Sequence, residues 1–319
     1  QAACTAVPTA VFRGLLQQRA SAVTRQPTVP NRQQTNNEKQ TTKNEMPTPI
    51  ITGLLAYGMS GRVFHAPFLT THAGFQLRAV VERTRKQAAA DHPGLISYDS
   101  VAKLLADAAI ELVVVNTPNA THFELARQAL LAGKHVLVEK PVCITVAELD
   151  ELLALAARCG LHLLAYQNRR YDSDFQLVRQ VVASGQLGEL VEAHFRFERY
   201  KLPLNVKTFK EDPAVPGSGL LYDLGPHVLD QALLLFGRPQ RVRKTLASHR
   251  PDSRVDDYFH LHLTYPGGLN VFVSGSLLAA DPGPAYELHG TRGSFRKRRA
   301  DPQEAQLLQG LTPTTPTYG

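Results

Sequence analysis

The sequence predicts an α/β protein with two domains: an N-terminal doubly wound parallel sheet, then an α/β domain with a large, mostly antiparallel open sheet. Short apolar strands alternate with helices from about residue 50 to 168, with short connections between them. A glycine-rich turn joins the first strand to the first helix. Beyond about residue 185 this rhythm gives way to strands of alternating polarity. We expect a disordered leader over 1–45, a first domain over 46–168 and a second over 169–319.

The composition is that of an ordinary globular protein, since 43% of the 319 residues are hydrophobic and 20% are charged. The net charge of +7 arises mostly in residues 1–45, where six Lys and Arg outnumber two Asp and Glu. The remainder is nearly neutral, which argues against a nucleic-acid partner. No apolar run is long enough for a membrane span. Three cysteines without a C-x-x-C pair indicate reduced thiols and a cytoplasmic protein.

Residues 1–45 are rich in Gln, Thr, Asn and Arg and have no sustained apolar period, which predicts disorder. Two interpretations of this leader remain open. It has the arginines, hydroxyl groups and scarcity of acids of a transit peptide. Alternatively, it is upstream sequence and the natural start is Met46, just before the first strand, which is the interpretation we favour.

The first strand, over 50–56, leads into Ala56-Tyr57-Gly58-Met59-Ser60-Gly61, and a helix opens at Arg62. This is the G-x-G-x-x-G layout between a strand and a helix, with Ala56 in place of the first glycine. Small residues let the backbone approach a pyrophosphate, and the helix N-terminus offers N–H groups to it. The context predicts a Rossmann domain that binds a dinucleotide through Gly58, Met59, Ser60, Gly61 and Arg62.

The second strand, over 76–81, ends at Glu82. An acid at this distance from the glycines suits the ribose 2′-hydroxyl of NAD. Arg83 and Thr84 follow directly, however, and they suit the 2′-phosphate of NADP. The cofactor is therefore NAD or NADP, with NAD slightly favoured because of Glu82.

The next elements continue the alternation, with helices expected over 99–108, 121–132 and 145–159 and strands over 110–115, 135–138 and 161–166. Strand 110–115 ends in the loop Thr117-Pro118-Asn119. Strand 135–138 ends in Glu139-Lys140-Pro141, and the proline holds Lys140 in an extended conformation at the strand's carboxyl end. Ligands bind at this edge of a parallel sheet, so Lys140 is a candidate site residue.

In the second domain, residues 192–200 alternate in polarity, and strands are expected over 242–249, 256–265, 269–278 and 284–290. A helix over 226–236 interrupts them. Pro226 fits the first helical position, which puts His227 in the first turn, where the helix dipole favours a neutral imidazole. Such a histidine accepts a proton, and Asp223 lies just upstream. A metal site with Asp230 and a purely structural histidine are the alternatives; we predict no metal.

Taken together, these motifs resemble the Gfo/Idh/MocA family of NAD(P)-dependent oxidoreductases over about 50–290. The resemblance rests on the glycine turn with Phe64-His65-Ala66-Pro67, on Thr117-Pro118-Asn119 with His122, on Glu139-Lys140-Pro141, on Asn168-Arg169-Arg170 and on Asp223-x-x-x-His227. Two departures are Ala56 and a chain that ends at Gly319, with a tail rich in Pro, Thr and Gln. We expect from this that the C-terminus is truncated or altered.

The resemblance implies that Lys140 and His227 are catalytic and that Asp223 orients the substrate. It implies further cofactor contacts from Thr117, Pro118, Asn119, His122, Glu139 and Lys140, and substrate contacts from Tyr166, Asn168, Arg169, Tyr222, Asp223 and His227. It also implies a homodimer or homotetramer formed through the C-terminal sheet.

The predicted function is hydride transfer between NAD(P) and a secondary alcohol of a sugar or an inositol-like cyclitol. The expected partner is a small polyol or sugar, with neither nucleic acid nor membrane. The alternative is a non-catalytic NAD(P)-binding regulator that retains the fold, although such a sensor has no need of a proton acceptor.

Overall fold

The computed structural model describes residues 48–319, so the predicted disorder of 1–45 lies outside the described residues. The described chain contains two six-stranded sheets, one in each part of the sequence. The predicted fold class is confirmed: the first sheet is parallel throughout, and the second is mostly antiparallel.

The first domain alternates strands and helices in the expected order. Its elements are β1 (Ile50–Leu54), a π-helical segment (Ser60–His65) that continues as α1 (Ala66–Thr71), β2 (Phe75–Val81), α2 (Ala88–Asp91), β3 (Ile96–Tyr98), α3 (Val101–Leu105), β4 (Leu112–Val115), α4 (His122–Leu131), β5 (His135–Glu139), α5 (Val146–Cys159) and β6 (Leu163–Tyr166). The strand order is β3-β2-β1-β4-β5-β6. The carboxyl ends of β1, β2, β4 and β5 therefore meet along one edge, where such sheets bind ligands.

Local sequence accounts for most of these boundaries. Helix α5 begins with a capping box, in which Thr145 and Glu148 satisfy each other's backbone N–H groups, and it ends at Gly160 in the left-handed conformation. Strand β4 is buried along its whole length, as its continuous β-branched run predicts. The first helix begins at Ser60 rather than Arg62. The short elements α2 and β3 were not predicted, because three or four residues carry no detectable period.

The second domain contains α6 (Ser173–Ala183), β7 (Leu190–Glu198), α7 (Leu220–Asp223), α8 (Gly225–Phe236), β8 (Arg241–Ala247), β9 (Tyr258–Thr264), β10 (Asn270–Ser276), β11 (Tyr286–Gly290), β12 (Gly293–Lys297) and α9 (Gln303–Leu308). The strand order is β12-β11-β7-β10-β9-β8, and only β7 and β10 pair in parallel. The alternation predicted for β7 is confirmed, since Ala193, Phe195 and Phe197 are buried. That inner face packs against α6 and α8 in one hydrophobic core.

The C-terminal residues return to the first domain. Leu307 and Tyr318 pack against Phe68 of α1 in a small separate cluster. Neither α9 nor β12 was predicted, because the tail lacks an apolar period. The tail therefore packs on the first domain, while its Glu304 pairs with Arg169 of the second. Within residues 48–319 no helix has both the length and the apolar character to span a membrane. The cytoplasmic location stays a prediction.

Candidate active site

A cleft of about 750 Å³ lies along the carboxyl ends of β1, β2 and β4. Its size falls in the range of small-molecule and cofactor sites. It is lined by Leu55, Ala56, Tyr57, Gly58, Val81, Glu82, Arg83, Thr84, Arg85, Gln87, Val101, Thr117, Pro118, Ala120, Thr121, Glu124 and Leu125. Residues predicted to hold a dinucleotide from the first, second and fourth strands therefore share one cavity.

The two glycines of the turn have different surroundings. A Cβ on Gly58 would meet nothing within 4 Å, so this backbone is open to the cleft. A Cβ on Gly61 would lie 2.4 Å from the carbonyl oxygen of Ala56, so here the helix start packs directly on the strand end. Gly58 fits the close approach of a pyrophosphate, and Gly61 fits helix–strand packing. The turn therefore fits a dinucleotide despite Ala56.

Asn116, which sequence reasoning did not single out, holds this turn in place. Its side-chain oxygen accepts the N–H of Ala56 at 3.0 Å, and its amide donates to the Ala56 carbonyl at 2.8 Å. A side-chain amide directly after a buried strand was the available signal. These two hydrogen bonds connect the end of β4 to the end of β1.

Glu139, predicted as a cofactor contact, has its carboxylate directed into the protein. One oxygen accepts the Ser60 hydroxyl at 2.8 Å and lies 2.9 Å from Nε2 of His65. Burial alone would raise the pKa of Glu139, but the His65 and Ser60 bonds hold it below its usual value. Arg62 similarly points away to pair with Asp91 at 2.9 Å. The side chains of Glu139, Ser60 and Arg62 thus fasten the first helix, while Met59 is exposed at its start.

Glu82 also uses its carboxylate internally. One oxygen accepts the N–H groups of Gln87 at 2.6 Å and Ala88 at 3.1 Å, and the other accepts the Ser97 hydroxyl at 2.7 Å. Burial opposes ionisation, yet these bonds lower the pKa of Glu82. The next residue, Arg83, is exposed and lines the cleft.

The loop after β4 is supported by a buried histidine. The ring nitrogens of His122 lie 2.8 Å from the Thr117 carbonyl and 2.7 Å from that of Pro141, which leaves neither facing the cleft. Pro118 lines the cleft wall. Asn119 reaches the other domain and donates to the Gly217 carbonyl at 3.1 Å. His122 and Asn119 therefore position this loop.

Lys140 lies at the end of β5, joined to Pro141 by a cis peptide bond. Its ammonium group donates to the backbone carbonyl of Asp223 at 2.5 Å and lies 3.5 Å from that residue's carboxylate. Burial lowers the pKa of Lys140, although the charges of Asp223 and Glu139 oppose this effect. The amine is therefore desolvated at the junction of the two domains, and Lys140 lies at the carboxyl end of β5, where the strand-end argument places it.

Asp223, the last residue of α7, is shared by two lysines. Its carboxylate lies 2.8 Å from the ammonium group of Lys210, in addition to Lys140. Burial raises the pKa of Asp223, but the two lysines outweigh it and lower the pKa to about 2. Lys210 was missed, because it lies in a long connection after β7 whose contacts no local pattern indicates.

His227 lies in the first turn of α8, as Pro226 predicts, and is buried. Burial, followed by the positive charges of Lys140 and nearby arginines, lowers its pKa well below the usual value. Its Nδ1 has no hydrogen-bond partner among residues 48–319. The site thus holds a neutral imidazole with an unsatisfied nitrogen. The alternative metal partner Asp230 instead pairs with Arg170 at 2.6 Å, and no metal-binding cluster occurs in the described residues.

Four further residues were predicted to contact substrate. Tyr166 is buried, donates to the Phe64 carbonyl at 2.8 Å and packs on His65, which makes it part of the scaffold. Arg169 pairs with Asp172 and Glu304. Asn168 and Tyr222 are half-buried. The structure therefore brings Lys140, Asp223 and His227 together and uses Tyr166 for packing.

A parallel sheet with a glycine turn and a cleft at its carboxyl edge defines a dinucleotide-binding fold, and the cluster of Lys140, Asp223 and His227 beside this edge carries groups capable of acid–base chemistry. The chain belongs to the Gfo/Idh/MocA oxidoreductase family. Residues 51–167 match the family's NAD-binding Rossmann fold, and residues 175–296 match a Gfo/Idh/MocA C-terminal domain. The chain is therefore an oxidoreductase with an NAD-binding fold.

Relatives of this chain carry similar names. It is 41% identical to an uncharacterized oxidoreductase, YdgJ, of Escherichia coli over 82% of this chain and 75% of that one. It is 34% identical to the scyllo-inositol 2-dehydrogenase (NADP(+)) IolW of Bacillus subtilis, over 85% and 75%. A crystal structure of an oxidoreductase from Bacillus cereus matches with a TM-score of 0.76 at 34% identity, over 85% and 77%.

Proposed function

We propose that this protein transfers a hydride between a nicotinamide cofactor and a secondary alcohol of a sugar or cyclitol. The observation that carries the proposal is the convergence of three groups from two domains: the Lys140 ammonium held by Asp223, and the neutral, buried imidazole of His227. The relative named scyllo-inositol 2-dehydrogenase supports a polyol substrate. A sensor that only bound nucleotide would gain nothing from a desolvated lysine and an unsatisfied histidine nitrogen.

The proposed role of each site residue follows from its charge state. In the oxidation direction, His227 takes the proton from the substrate hydroxyl, because its imidazole is neutral. Lys140 donates a hydrogen bond to the same oxygen and stabilises the negative charge that develops on it. Asp223 fixes the position of Lys140 through its carbonyl and its carboxylate. When bound, the nicotinamide supplies the hydride acceptor or donor.

We propose further that NADP is the preferred cofactor. Our prediction of NAD rested on Glu82, but both of its carboxylate oxygens accept hydrogen bonds from within the protein. The cleft residues that follow it, Arg83, Thr84 and Arg85, are exposed and carry the donors that a 2′-phosphate requires. The name of IolW, which includes NADP(+), agrees with this choice.

A panel of inositols, hexoses and their oxidised forms, tested with both cofactors by absorbance of the reduced nicotinamide, tests the activity. We expect turnover of at least one polyol, and its loss in Lys140→Ala. Turnover that is equally fast in Lys140→Ala would contradict the assigned site. Failure of every compound together with tight cofactor binding would favour the regulator.

The cofactor preference is tested separately by measuring the dissociation constants of NADP and NAD. Arg83→Ala and Arg85→Ala should each weaken NADP about ten- to hundredfold, since each removes a charge-assisted hydrogen bond, and should affect NAD much less. Lys103→Ala, an exposed lysine away from the cleft, is the matched control. Wild-type protein that binds NAD more tightly than NADP would refute the proposal.

We propose self-association through the outer face of the second sheet. On that face His194 and His262 stack on Phe272, with ring centroids 4.9 Å and 4.6 Å apart, which gives a partly apolar surface. Light scattering should give the mass of a dimer or tetramer, and Phe272→Glu should reduce it. A wild-type mass equal to one chain would exclude this assembly.

A further inference from the structure

Three guanidinium groups surround one aromatic ring beside the candidate active site. Phe197, near the end of β7, has Arg299 at 4.2 Å from its ring centroid and Arg169 and Arg199 each at 5.2 Å. The ring of His227 lies 6.4 Å away. Three like charges this close together repel one another unless carboxylates or a ligand compensate for them.

Two of the three arginines have carboxylate partners and the third has none. Arg169 pairs with Glu304 at 2.6 Å and with Asp172 at 3.3 Å, and Arg299 lies 3.7 Å from Asp172. Arg199 forms no ion pair or side-chain hydrogen bond with any residue in 48–319. Its guanidinium overlies the ring of Phe197, and the residue as a whole is exposed.

The backbone of Arg199 is nonetheless held firmly. Its N–H donates to the Ser276 carbonyl at 3.0 Å, and its carbonyl accepts the N–H of Ala279 at 3.2 Å. Arg199 thus directly follows β7, and two hydrogen bonds fix its backbone. A side chain on such a fixed backbone loses less freedom when it binds a ligand than one on a free loop.

The charged cluster around Asp223 carries more positive than negative charge. Lys140 and Lys210 share the single carboxylate of Asp223, and Arg199 is a third cation in the same field. Arg199 is close enough that its charge helps to lower the pKa values of Asp223 and His227. Cations grouped with one carboxylate at a partly buried site favour an anionic ligand.

We propose that Arg199, assisted by Lys210, binds an anionic group of the substrate, so that the substrate is a sugar or cyclitol derivative bearing a carboxylate or a phosphate. The proposal rests on the function proposed above and specifies its substrate class. A guanidinium donates two parallel hydrogen bonds to either anion, and the Lys210 ammonium adds a point charge. Lys140 and His227 remain at the reacting alcohol.

The experiment compares neutral and anionic compounds of similar size: myo-inositol and glucose against glucuronate, glucose 6-phosphate and myo-inositol 1-phosphate. We expect at least one anion to be used with a kcat/KM about tenfold or more above its neutral counterpart. A preference for glucuronate indicates a carboxylate site, and a preference for the phosphates indicates a phosphate site.

The variants are Arg199→Gln, Arg199→Lys and Lys210→Gln, with Arg243→Gln as the matched control, an exposed arginine on β8. Arg199→Gln should raise the KM for the anion about ten- to hundredfold and lower kcat much less. Arg199→Lys should restore part of the affinity, and Arg243→Gln should behave as wild type.

Two outcomes overturn the proposal and leave the proposed function intact: neutral compounds used as well as their anionic counterparts, or an Arg199→Gln variant with an unchanged KM for the anion. If no compound turns over, calorimetric titration of the NADPH-loaded protein with glucuronate and glucose 6-phosphate decides the question. Binding that Arg199→Gln weakens supports the anion site. No binding, or equal binding by the variant, refutes it.

Discussion

Two places along the carboxyl edge of the first sheet, the end of β2 and the end of β5, contain similar residues and use them differently. At the β2 end, the carboxylate of Glu82 accepts three hydrogen bonds from its own domain. At the β5 end, the carboxylate of Asp223 instead lies between Lys140 of the first domain and Lys210 of the second. Glu82 stabilises a turn, whereas Asp223 connects two domains and fixes the amine proposed to touch the substrate.

A similar difference separates two buried histidines. The ring nitrogens of His122 both lie against carbonyl groups, and the carboxylate of Glu82 lies against N–H groups and a hydroxyl, so both side chains are directed into the protein. His227 is also buried, but its Nδ1 has no partner in the described chain. An unsatisfied buried polar group is costly, but it does not by itself mark a site, because Nδ1 of the scaffold residue His65 also lacks a partner in the described residues.

The largest effect should come from the β5 end. Lys140→Ala removes the hydrogen bond to the reacting oxygen and should lower kcat about 10²- to 10⁴-fold, with cofactor affinity changing far less. Steady-state kinetics with the best polyol and a fluorescence titration with NADPH measure the two quantities. Lys103→Ala is the exposed control. A variant that lost cofactor affinity but kept its kcat would indicate that Lys140 contacts the cofactor rather than the substrate.

The glycine turn offers a matched pair of substitutions. Gly61→Ala places a methyl group 2.4 Å from the Ala56 carbonyl and should lower the free energy of unfolding by about 1–3 kcal/mol. Gly58→Ala meets no atom within 4 Å, so it should melt as wild type does and weaken only NADP binding. Thermal unfolding and cofactor titration separate these effects. Equal melting temperatures for both variants would contradict the packing role of Gly61.

Glu82 and Arg83 are adjacent, but their substitutions should have different effects on the free energy of unfolding. Glu82→Ala leaves two backbone N–H groups and a hydroxyl without their acceptor, and should lower the free energy of unfolding by about 1–3 kcal/mol. Arg83→Ala should change stability by less than about 0.5 kcal/mol, because the side chain is exposed. Denaturant unfolding of both variants tests the contrast. A stable Glu82→Ala protein that gains affinity for NADP would indicate that the Glu82 carboxylate faces the ribose of the cofactor.

The contribution of Glu82 to the free energy of unfolding should depend on pH in a definite direction. The pKa of Glu82 is lowered in the folded state, so its contribution is present above the unfolded-state pKa and is lost as the pH falls through the folded-state pKa. The stability gap between wild type and Glu82→Ala should therefore narrow on acidification. A gap that stays constant down to the acid limit would show that the carboxylate charge is not involved.

The smallest expected effect concerns the pH–rate profile, in which His227 should produce no titration limb near neutral pH. Because the pKa of His227 lies well below the usual histidine value, its imidazole stays deprotonated as the pH falls from about 8 to 6. The rate of alcohol oxidation should then show no loss attributable to His227 in that interval, and any acid limb should appear below it. An acid limb in the wild-type pH–rate profile near pH 6.5 that His227→Ala abolishes would mean that the imidazole is more solvated than the structure shows.

Much of this site follows from local patterns. A proline after a buried strand placed Lys140 at the sheet edge, and a proline at a helix start placed His227 in the first turn. The strand–helix alternation gave the first sheet, and two-residue periodicity gave the second. These signals depend on neighbours in the sequence, which is why they could be interpreted without the structure.

The rest depends on contacts between distant segments. The partners of Glu82 come from a short helix and from β3, neither of which has a detectable period. Lys210 reaches Asp223 from an irregular connection, and Arg199 becomes notable only because Arg169 and Arg299 are paired while it is not. No spacing rule conveys which charge lacks a partner in the fold.

The central claim is that His227 accepts the substrate proton at a site assembled from two domains. Single-turnover kinetics tests it most directly: wild type and His227→Ala are loaded with NADP, mixed with excess polyol and followed by reduced-nicotinamide absorbance. We predict equal cofactor affinity and hydride transfer about 10²- to 10⁴-fold slower in the variant. Hydride transfer at the wild-type rate in a folded, NADP-loaded His227→Ala protein would contradict the claim and assign the proton to another group.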